Sequence, residues 1–222
     1  MWSVWVRGRH LDRMGAQPGQ YFTWRFLSRG LLLSGHPWSL SAPPGPTRMR
    51  ITVRDLGDHS RRMRELRPGT RVIVEGPYGS FTAQRRTRRR VTLVAAGIGI
   101  TPVRALAEEL SQEWHSRPGD ITVLYRADTP EQLALADELG QLARRRGLVL
   151  HLLVGPPVEG SWLPADISRG RPDHVALAGL LPEPARHDVF ICGPQRWMDL
   201  VHDSLRAAGV PRRRIHDERF AW

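Results

Sequence analysis

Cysteine is nearly absent from this chain: Cys192 is the only one in 222 residues. A single thiol excludes a disulfide framework and fits a reducing compartment. It also excludes a cysteine-ligated iron–sulfur cluster held by this chain alone, which needs about four thiolates. Long apolar runs are missing too. Nothing approaches the roughly 18 apolar residues of a membrane-spanning helix. The best candidate, residues 21–35, is interrupted by Arg25, Ser28, Arg29 and Gly30. The amino terminus lacks a signal-peptide pattern, because Arg7, Arg9 and His10 fall where its apolar core would be. The expected location is the cytoplasm, free in solution or at the inner face of a membrane.

Acidic residues are scarce, 22 against 33 basic, which leaves a net charge of +11 carried by arginine. A charge of that size invites a nucleic-acid reading. The arginines are spread along the chain, however, with one dense run at Arg85-Arg86-Thr87-Arg88-Arg89-Arg90, and nucleic acid is not the expected partner. That run sits between two structured segments and reads as a solvated linker. An anionic lipid surface or an acidic protein is the sharper alternative.

What is present divides at this run. Residues 1 to about 83 read as short strands cut by proline and glycine: 2–7, 21–27, 37–41, 48–54 and 70–75. That spacing predicts an antiparallel sandwich or barrel. One short helix is expected over 60–66, capped by Asp58 or Ser60. From residue 91 strand and helix alternate: strands 91–95, 120–125, 148–154 and 188–191, helices 102–111, 130–144 and 195–208. Alternation of this kind predicts a parallel sheet with right-handed crossovers. A proline- and glycine-rich passage to about residue 170 has no clear pattern, and 215–222 reads as an extended tail. The expected organisation is a β domain over 1–84, a basic linker over 85–90 and a doubly wound α/β domain over 91–222.

Three stretches carry chemistry. In Val91-Thr92-Leu93-Val94-Ala95-Ala96-Gly97-Ile98-Gly99-Ile100-Thr101-Pro102, a buried strand runs into a glycine turn and a helix start, with Thr101 as N-cap and Pro102 as first helical residue. Bare N–H groups and a positive dipole end suit phosphate there. The stretch departs from the dinucleotide fingerprint: Pro102 holds the third glycine position, and no acidic residue follows about 20 residues on. The next strand ends instead on Tyr125 and Arg126. A second glycine turn, Cys192-Gly193-Pro194, also lies between strand and helix. If its strand neighbours 91–95, both turns line one crevice at the switch point of the sheet. In the first half, His36-Pro37-Trp38-Ser39-Leu40 puts His36, Trp38 and Leu40 on one face of a strand and Ser39 on the other. Gly57 to Ser60 is a further glycine approach to a helix, and Gly76-Pro77-Tyr78-Gly79 is a tight turn.

Taken together and in this order, with Glu218-Arg219-Phe220 near the end, these pieces make the chain resemble the ferredoxin–NADP reductase superfamily. Within it, the chain is similar to the flavin- and nicotinamide-binding half of ferric-reductase and NADPH-oxidase-like proteins. The resemblance implies FAD in the β-barrel and NADPH or NADH in the α/β domain. It assigns His36 to the flavin diphosphate, Trp38 to the isoalloxazine face and Ser39 to flavin N5, with Pro37, Leu40 and Val53 among the cofactor-binding residues. Gly57 and Ser60 match the pyrophosphate loop. Gly97, Gly99, Ile100, Thr101 and Pro102 match the nicotinamide-cofactor loop, and Tyr125 and Arg126 its nucleotide end. Cys192, Gly193, Pro194 and Met198 match the nicotinamide pocket. Glu218 and Phe220 match a terminal acid and aromatic; Trp222 is the alternative aromatic. Ser39, Cys192, Glu218 and Phe220 are the implied catalytic set, and no metal is implied.

The implied function is transfer of hydride from NAD(P)H to FAD and then of single electrons to an acceptor: a ferric chelate, a haem domain or a small redox protein. A non-catalytic electron-transfer or regulatory subunit is the alternative. Trp2-Ser3-Val4-Trp5-Val6 matches the second strand of the family barrel, and the first has no counterpart. The expected result is an open sheet edge. The haem-bearing membrane domain that often precedes this unit also has no counterpart here.

Overall fold

The computed structural model describes residues 1–218 apart from 29, 33, 56 and 113–115, and the backbone alone at 58 and 59. The first half supplies strands β1 (Trp2–Arg7), β2 (Tyr21–Phe26), β3 (His36–Ser39), β4 (Arg48–Val53) and β5 (Val72–Tyr78), with helix α1 (Asp58–Met63) before the last. β1 pairs antiparallel with β4, and β2 lies between β3 and β5, antiparallel to both. A Leu40–Ile51 bridge joins the two sheets. Alternation drives the packing: Phe22, Trp24 and Phe26 on β2 point inward with Met49 and Ile51 of β4, and Met63 of α1 closes the core.

The second half runs β6 (Val91–Ala96), α2 (Ile100–Gln112), β7 (Ile121–Ala127), α3 (Ala136–Arg146), β8 (Val149–Val154), α4 (Ala165–Ser168), α5 (Asp173–Leu180), β9 (Asp188–Cys192), α6 (Gln195–Ala207) and β10 (Ile215–Glu218). Its strands are parallel in the order β10-β9-β6-β7-β8. The fully buried runs of β6, β7 and β9 reflect helices on both faces. Val103 and Leu106 of α2 and Leu139 of α3 fill one side. Leu177 of α5 and Met198 and Val201 of α6 fill the other. Among the described residues, no helix is long and apolar enough to cross a membrane.

Several boundaries differ from the pattern-based reading, each for a local reason. α2 starts at Ile100, because Gly97–Gly99 forms a 3-10 turn that runs straight into it. Thr101 is therefore inside the helix, not its cap, and its hydroxyl donates to the Ile98 carbonyl at 3.0 Å. α1 starts after Gly57, which is the N-cap. Ser60 is the third helical residue, and its hydroxyl oxygen accepts the Gly57 N–H at 3.0 Å. α3 begins at Ala136, since Leu135 adopts a left-handed conformation that separates it from the 3-10 turn at Pro130–Gln132. The patternless passage holds α4, and α5 follows it without having been expected. Its sequence, DHVALAGL, shows little amphipathic contrast.

One polar tie joins the halves, and another fastens the basic run to the second of them. Glu138 of α3 accepts from Arg50 of β4 at 2.8 and 3.0 Å and lies 2.8 Å from Nε of Arg104 in α2. Asp188, fully buried at the start of β9, accepts the backbone N–H groups of Thr87 and Arg88 and lies 3.3 Å from Nε2 of His216. The basic run is thus fastened to the parallel sheet.

Candidate functional site

The sheet order puts β6 at the centre, with β7 and β8 to one side and β9 and β10 to the other. The direction of winding reverses between β6 and β9, which is where doubly wound sheets bind ligands at their carboxyl ends. Register pairs Ala95 with Cys192, and Cys192 with Glu218. The two glycine turns meet here, backbone against backbone. A Cβ on Gly99 would lie 2.1 Å from the Cys192 carbonyl oxygen, so no side chain fits. Gly193 is similarly hemmed in by Trp197 and Ala96.

Glu218 brings the first half to the same place. Its carboxylate oxygens lie 3.2 Å from where a Cβ on Gly79 would stand, and Tyr21 flanks the same glycine. Tyr21 in turn pairs with Tyr78 on one side and with Ser39 on the other. Glu218 of β10 therefore stands beside Cys192 of β9, and Tyr21 connects it to Ser39 of β3. Burial pushes the Glu218 carboxyl up to about 7, with the neighbouring Asp217 charge adding to the effect. Ser39 is 3 % exposed, and its Oγ has no hydrogen-bond partner among the described residues. A buried hydroxyl without a partner is costly, and here it marks a place made for a group that can bond to it.

The other residues of this strand occupy the positions that alternation requires. The rings of His36 and Trp38 stack, 5.5 Å between centroids and 22° between planes. Pro37 stands opposite Thr23. Burial lowers the His36 pKa, so at neutral pH its ring offers hydrogen bonds and shape, not charge. Leu40, Val53, Ile100 and Met198 are all buried; they shape the walls from within. Pro102 is buried in the first turn of α2, and Pro194 caps α6. Gly57, with φ 154°, has open space where a side chain would be.

Three expectations meet a different geometry. Tyr125 is fully buried in the core beneath α2, with its hydroxyl donating to the Gln132 carbonyl at 3.3 Å. As the fifth residue of β7 it points to the core face, and it presents no surface to a ligand. Arg126 points the other way but is already engaged: its guanidinium binds the Ala127 carbonyl and pairs with Asp128 at 3.1 Å. Cys192 packs its thiol into the core, and burial raises its pKa well above the usual thiol range. It is no thiolate nucleophile at neutral pH. Phe220 and Trp222 lie outside the described residues.

Pattern reading passed over Arg54. Alternation along β4 puts it in line with Arg50 and Thr52, the polar face turned toward the second half. It lies against Gly97, whose Cβ, if present, would be 3.5 Å from the guanidinium. A cleft of about 460 Å³ opens between Arg54 and Asp55 on one wall and Gly97, Gln132 and Leu135 on the other. The signal was the Arg-Met-Arg-Ile-Thr-Val-Arg alternation itself, which ends beside the glycine turn. The site thus offers a guanidinium and a side-chain-free turn at one place, and a buried hydroxyl with an acid near pH 7 at another.

Known proteins resemble this chain along most of its length. Residues 93–203 match the family described as oxidoreductase NAD-binding domain. The chain is 31 % identical over 192 residues to ferredoxin–NADP reductase B of Sorangium cellulosum, covering 81 % of this chain and 75 % of that protein. It is 30 % identical over 216 residues to the ferredoxin reductase component of 3-ketosteroid-9-alpha-monooxygenase from Mycolicibacterium smegmatis, covering 94 % of this chain and 57 % of that protein. Among solved structures, the flavohem-like FAD/NAD-binding domain of nitric oxide dioxygenase from Vibrio cholerae superposes with a TM-score of 0.76 at 25 % identity, covering 98 % of this chain and 91 % of the other.

Proposed function

Since the chain belongs to the ferredoxin–NADP reductase superfamily, we propose that it is an FAD-dependent oxidoreductase that draws on NAD(P)H and serves a one-electron acceptor. When bound, FAD supplies the chemistry, accepting a hydride and returning electrons singly. The protein's part is to hold, orient and tune. Trp38 and His36 offer a flat stacked face beside β3, and the Ser39 hydroxyl supplies one hydrogen bond at the reacting edge. Gly57 leaves open space beside the start of α1 for a diphosphate, and Ser60 holds that turn by accepting the Gly57 N–H. Gly97 and the Arg54 guanidinium beside it offer a side-chain-free turn and a positive charge to the nicotinamide cofactor, and Gly99 lets that turn pack against Cys192. Glu218, its carboxyl raised to about 7, can take up or release a proton near neutral pH beside Cys192 and Gly79. Closeness matters because hydride passes only over roughly 3–3.5 Å.

The unpartnered Ser39 hydroxyl carries this reading, because a purely structural serine at 3 % exposure would have a partner. Arg126 gives no clear preference between nucleotides, since a 2′-phosphate would compete with Asp128 for it. For the acceptor we favour an acidic redox protein, which the net charge of +11 would steer. The cytoplasm, where NAD(P)H and reduced thiols coexist, suits the single cysteine. The test is anaerobic: the protein refolded with excess FAD should be yellow and bleach on adding NADPH or NADH. A colourless product that oxidises neither nucleotide sinks the proposal.

A further inference from the structure

The parallel sheet has two ends, and the glycine turns and Glu218 lie at the carboxyl one. At the amino end, arginines from three segments distant in sequence come together. Arg90 precedes β6, and Arg214 precedes β10. Arg186 ends the 3-10 turn that leads into β9. Because β10, β9 and β6 are neighbours in register, these side chains start from adjacent strand ends, about 5 Å apart per strand. With Arg88, Arg89 and Ala185 they line a cleft of about 600 Å³, a size that suits a small ligand. The six residues of β6 separate it from Gly97 by about 20 Å.

Three features set this cleft apart from a solvated charge run. First, its guanidinium groups outnumber the carboxylates that meet them. Glu183 takes Arg90 at 2.8 Å and Arg186 at 3.1 Å, and Asp120 takes Arg89 at 3.4 Å. Arg214 is only 8 % exposed, and its guanidinium donates to the Ala185 carbonyl. Neither Arg214 nor Arg88 has a carboxylate partner among the described residues. A buried cation without a counter-charge is costly, and an anion from outside removes that cost. Second, the backbone beneath is pinned. Asp188 accepts the N–H groups of Thr87 and Arg88, and its own N–H donates to the Arg90 carbonyl at 3.1 Å. The arginines are thus set in place before any ligand arrives. Third, the lining holds no aromatic ring on which a base could stack. What it does hold, planar guanidinium forks, matches phosphate oxygens.

We propose that this cleft binds a compact anion carrying two or more adjacent phosphate groups, free or as the headgroup of a phosphorylated lipid. Arg214, held by the Ala185 carbonyl, supplies the fixed fork, and the exposed Arg88 and Arg186 close on the anion from the rim. A single phosphate leaves part of the cluster unmatched. An acidic peptide spreads its charge along a flexible chain and offers two oxygens per group instead of three. The cleft shares no residue with the FAD and NAD(P)H positions proposed above, so its occupancy is read without turnover.

The test is calorimetric titration of the full chain with inorganic tripolyphosphate. Orthophosphate should bind about tenfold more weakly or worse. Arg88→Gln/Arg186→Gln, at two exposed positions, should weaken tripolyphosphate about tenfold or more. Arg214→Lys, which keeps the charge and loses the fork, should do the same. Arg9→Gln/Arg13→Gln removes equal charge from exposed positions in the first half and should change binding by less than about twofold. An equal loss in that control, unchanged binding in the cleft variants, or equal binding of orthophosphate or hexaglutamate overturns the proposal. So does duplex DNA that displaces tripolyphosphate at equal phosphate concentration, which would give the surface to nucleic acid. Phosphatidylcholine vesicles with and without phosphatidylinositol bisphosphate identify the source. Vesicle binding that tripolyphosphate displaces puts a lipid headgroup in the cleft, and tripolyphosphate binding without vesicle binding makes the ligand a free anion.

Discussion

Replacing Ser39 by alanine separates a cofactor-facing role from a structural one by the sign of its effect. In the cofactor-free protein the hydroxyl is buried, 3 % exposed, and unpartnered. Leaving a polar group in that condition costs about 1–3 kcal/mol. Ser39→Ala removes the cost and leaves a void of only one oxygen. The apo variant should therefore be more stable than the parent by about 1 kcal/mol, allowing for partial hydration, which for a chain of this length raises Tm by about 2–4 °C. With FAD the sign reverses. The variant forfeits a hydrogen bond worth about 0.5–1.5 kcal/mol, weakening FAD by a factor of about 2–10. Loss of alignment slows flavin reduction further, up to about 100-fold if the reacting atoms shift by about 1 Å. Thermal unfolding with and without FAD, together with stopped-flow reduction at 450 nm or so, reads all three effects. An apo variant that loses 1 kcal/mol or more, with unchanged flavin reduction, would refute the reasoning.

Three further outcomes are expected. Glu138→Ala strips a shared partner from Arg50 and Arg104, whose side chains are 7 % and 10 % exposed; the loss should be about 3 kcal/mol in urea unfolding, and a loss near the surface-pair range of about 0.5 kcal/mol contradicts a latch between the halves. Glu218, with its carboxyl raised from 4.5 to about 7, binds more protons folded than unfolded between those values, so it subtracts stability as pH rises through that window. Glu218→Gln should then gain relative to the parent by about 3 kcal/mol at pH 8 and nothing at pH 4, and equal unfolding differences at both would exclude the shift. Asp128→Ser should free Arg126 from its 3.1 Å pair and lower the Michaelis constant for NADPH about tenfold relative to NADH; steady-state kinetics with both nucleotides decide it, and an unchanged ratio removes Arg126 from nucleotide choice.

Much of this architecture was legible because its signals are local. Val91–Ala96 is apolar apart from Thr92, and Asp188–Cys192 is apolar after Asp188, and short runs of this kind read as buried parallel strands. Trp2–Arg7 and Arg48–Val53 alternate, and the sheet forms on that alternation. Glycine turns marked both sides of the crevice before their strands were known to be neighbours. What escaped was set by partners distant in sequence. Tyr125 looked like a strand-end ligand, but α2 covers it. Arg126 looked available until Asp128 took it. Thr101 looked like a cap because nothing in the spacing says that Gly97–Gly99 is itself helical. α5 escaped because it is short and buries only Ala176 and Leu177, too few positions to set up a helical period. Arg54 had the right alternation, but its value depends on Gly97, 43 positions away.

Composition and hydrogen bonding also draw the divide between the halves in different places. The arginine run reads as the gap between two units, yet Thr87 and Arg88 give their backbone N–H groups to Asp188, which is fully buried. An α/β half released at residue 91 would carry that carboxylate into its interior stripped of two donors, and would be strained before any ligand arrived. The piece that can be transplanted whole begins no later than Thr87. The three arginines between it and the first parallel strand, Arg88, Arg89 and Arg90, then travel with it as a positively charged leader, whatever is joined in front.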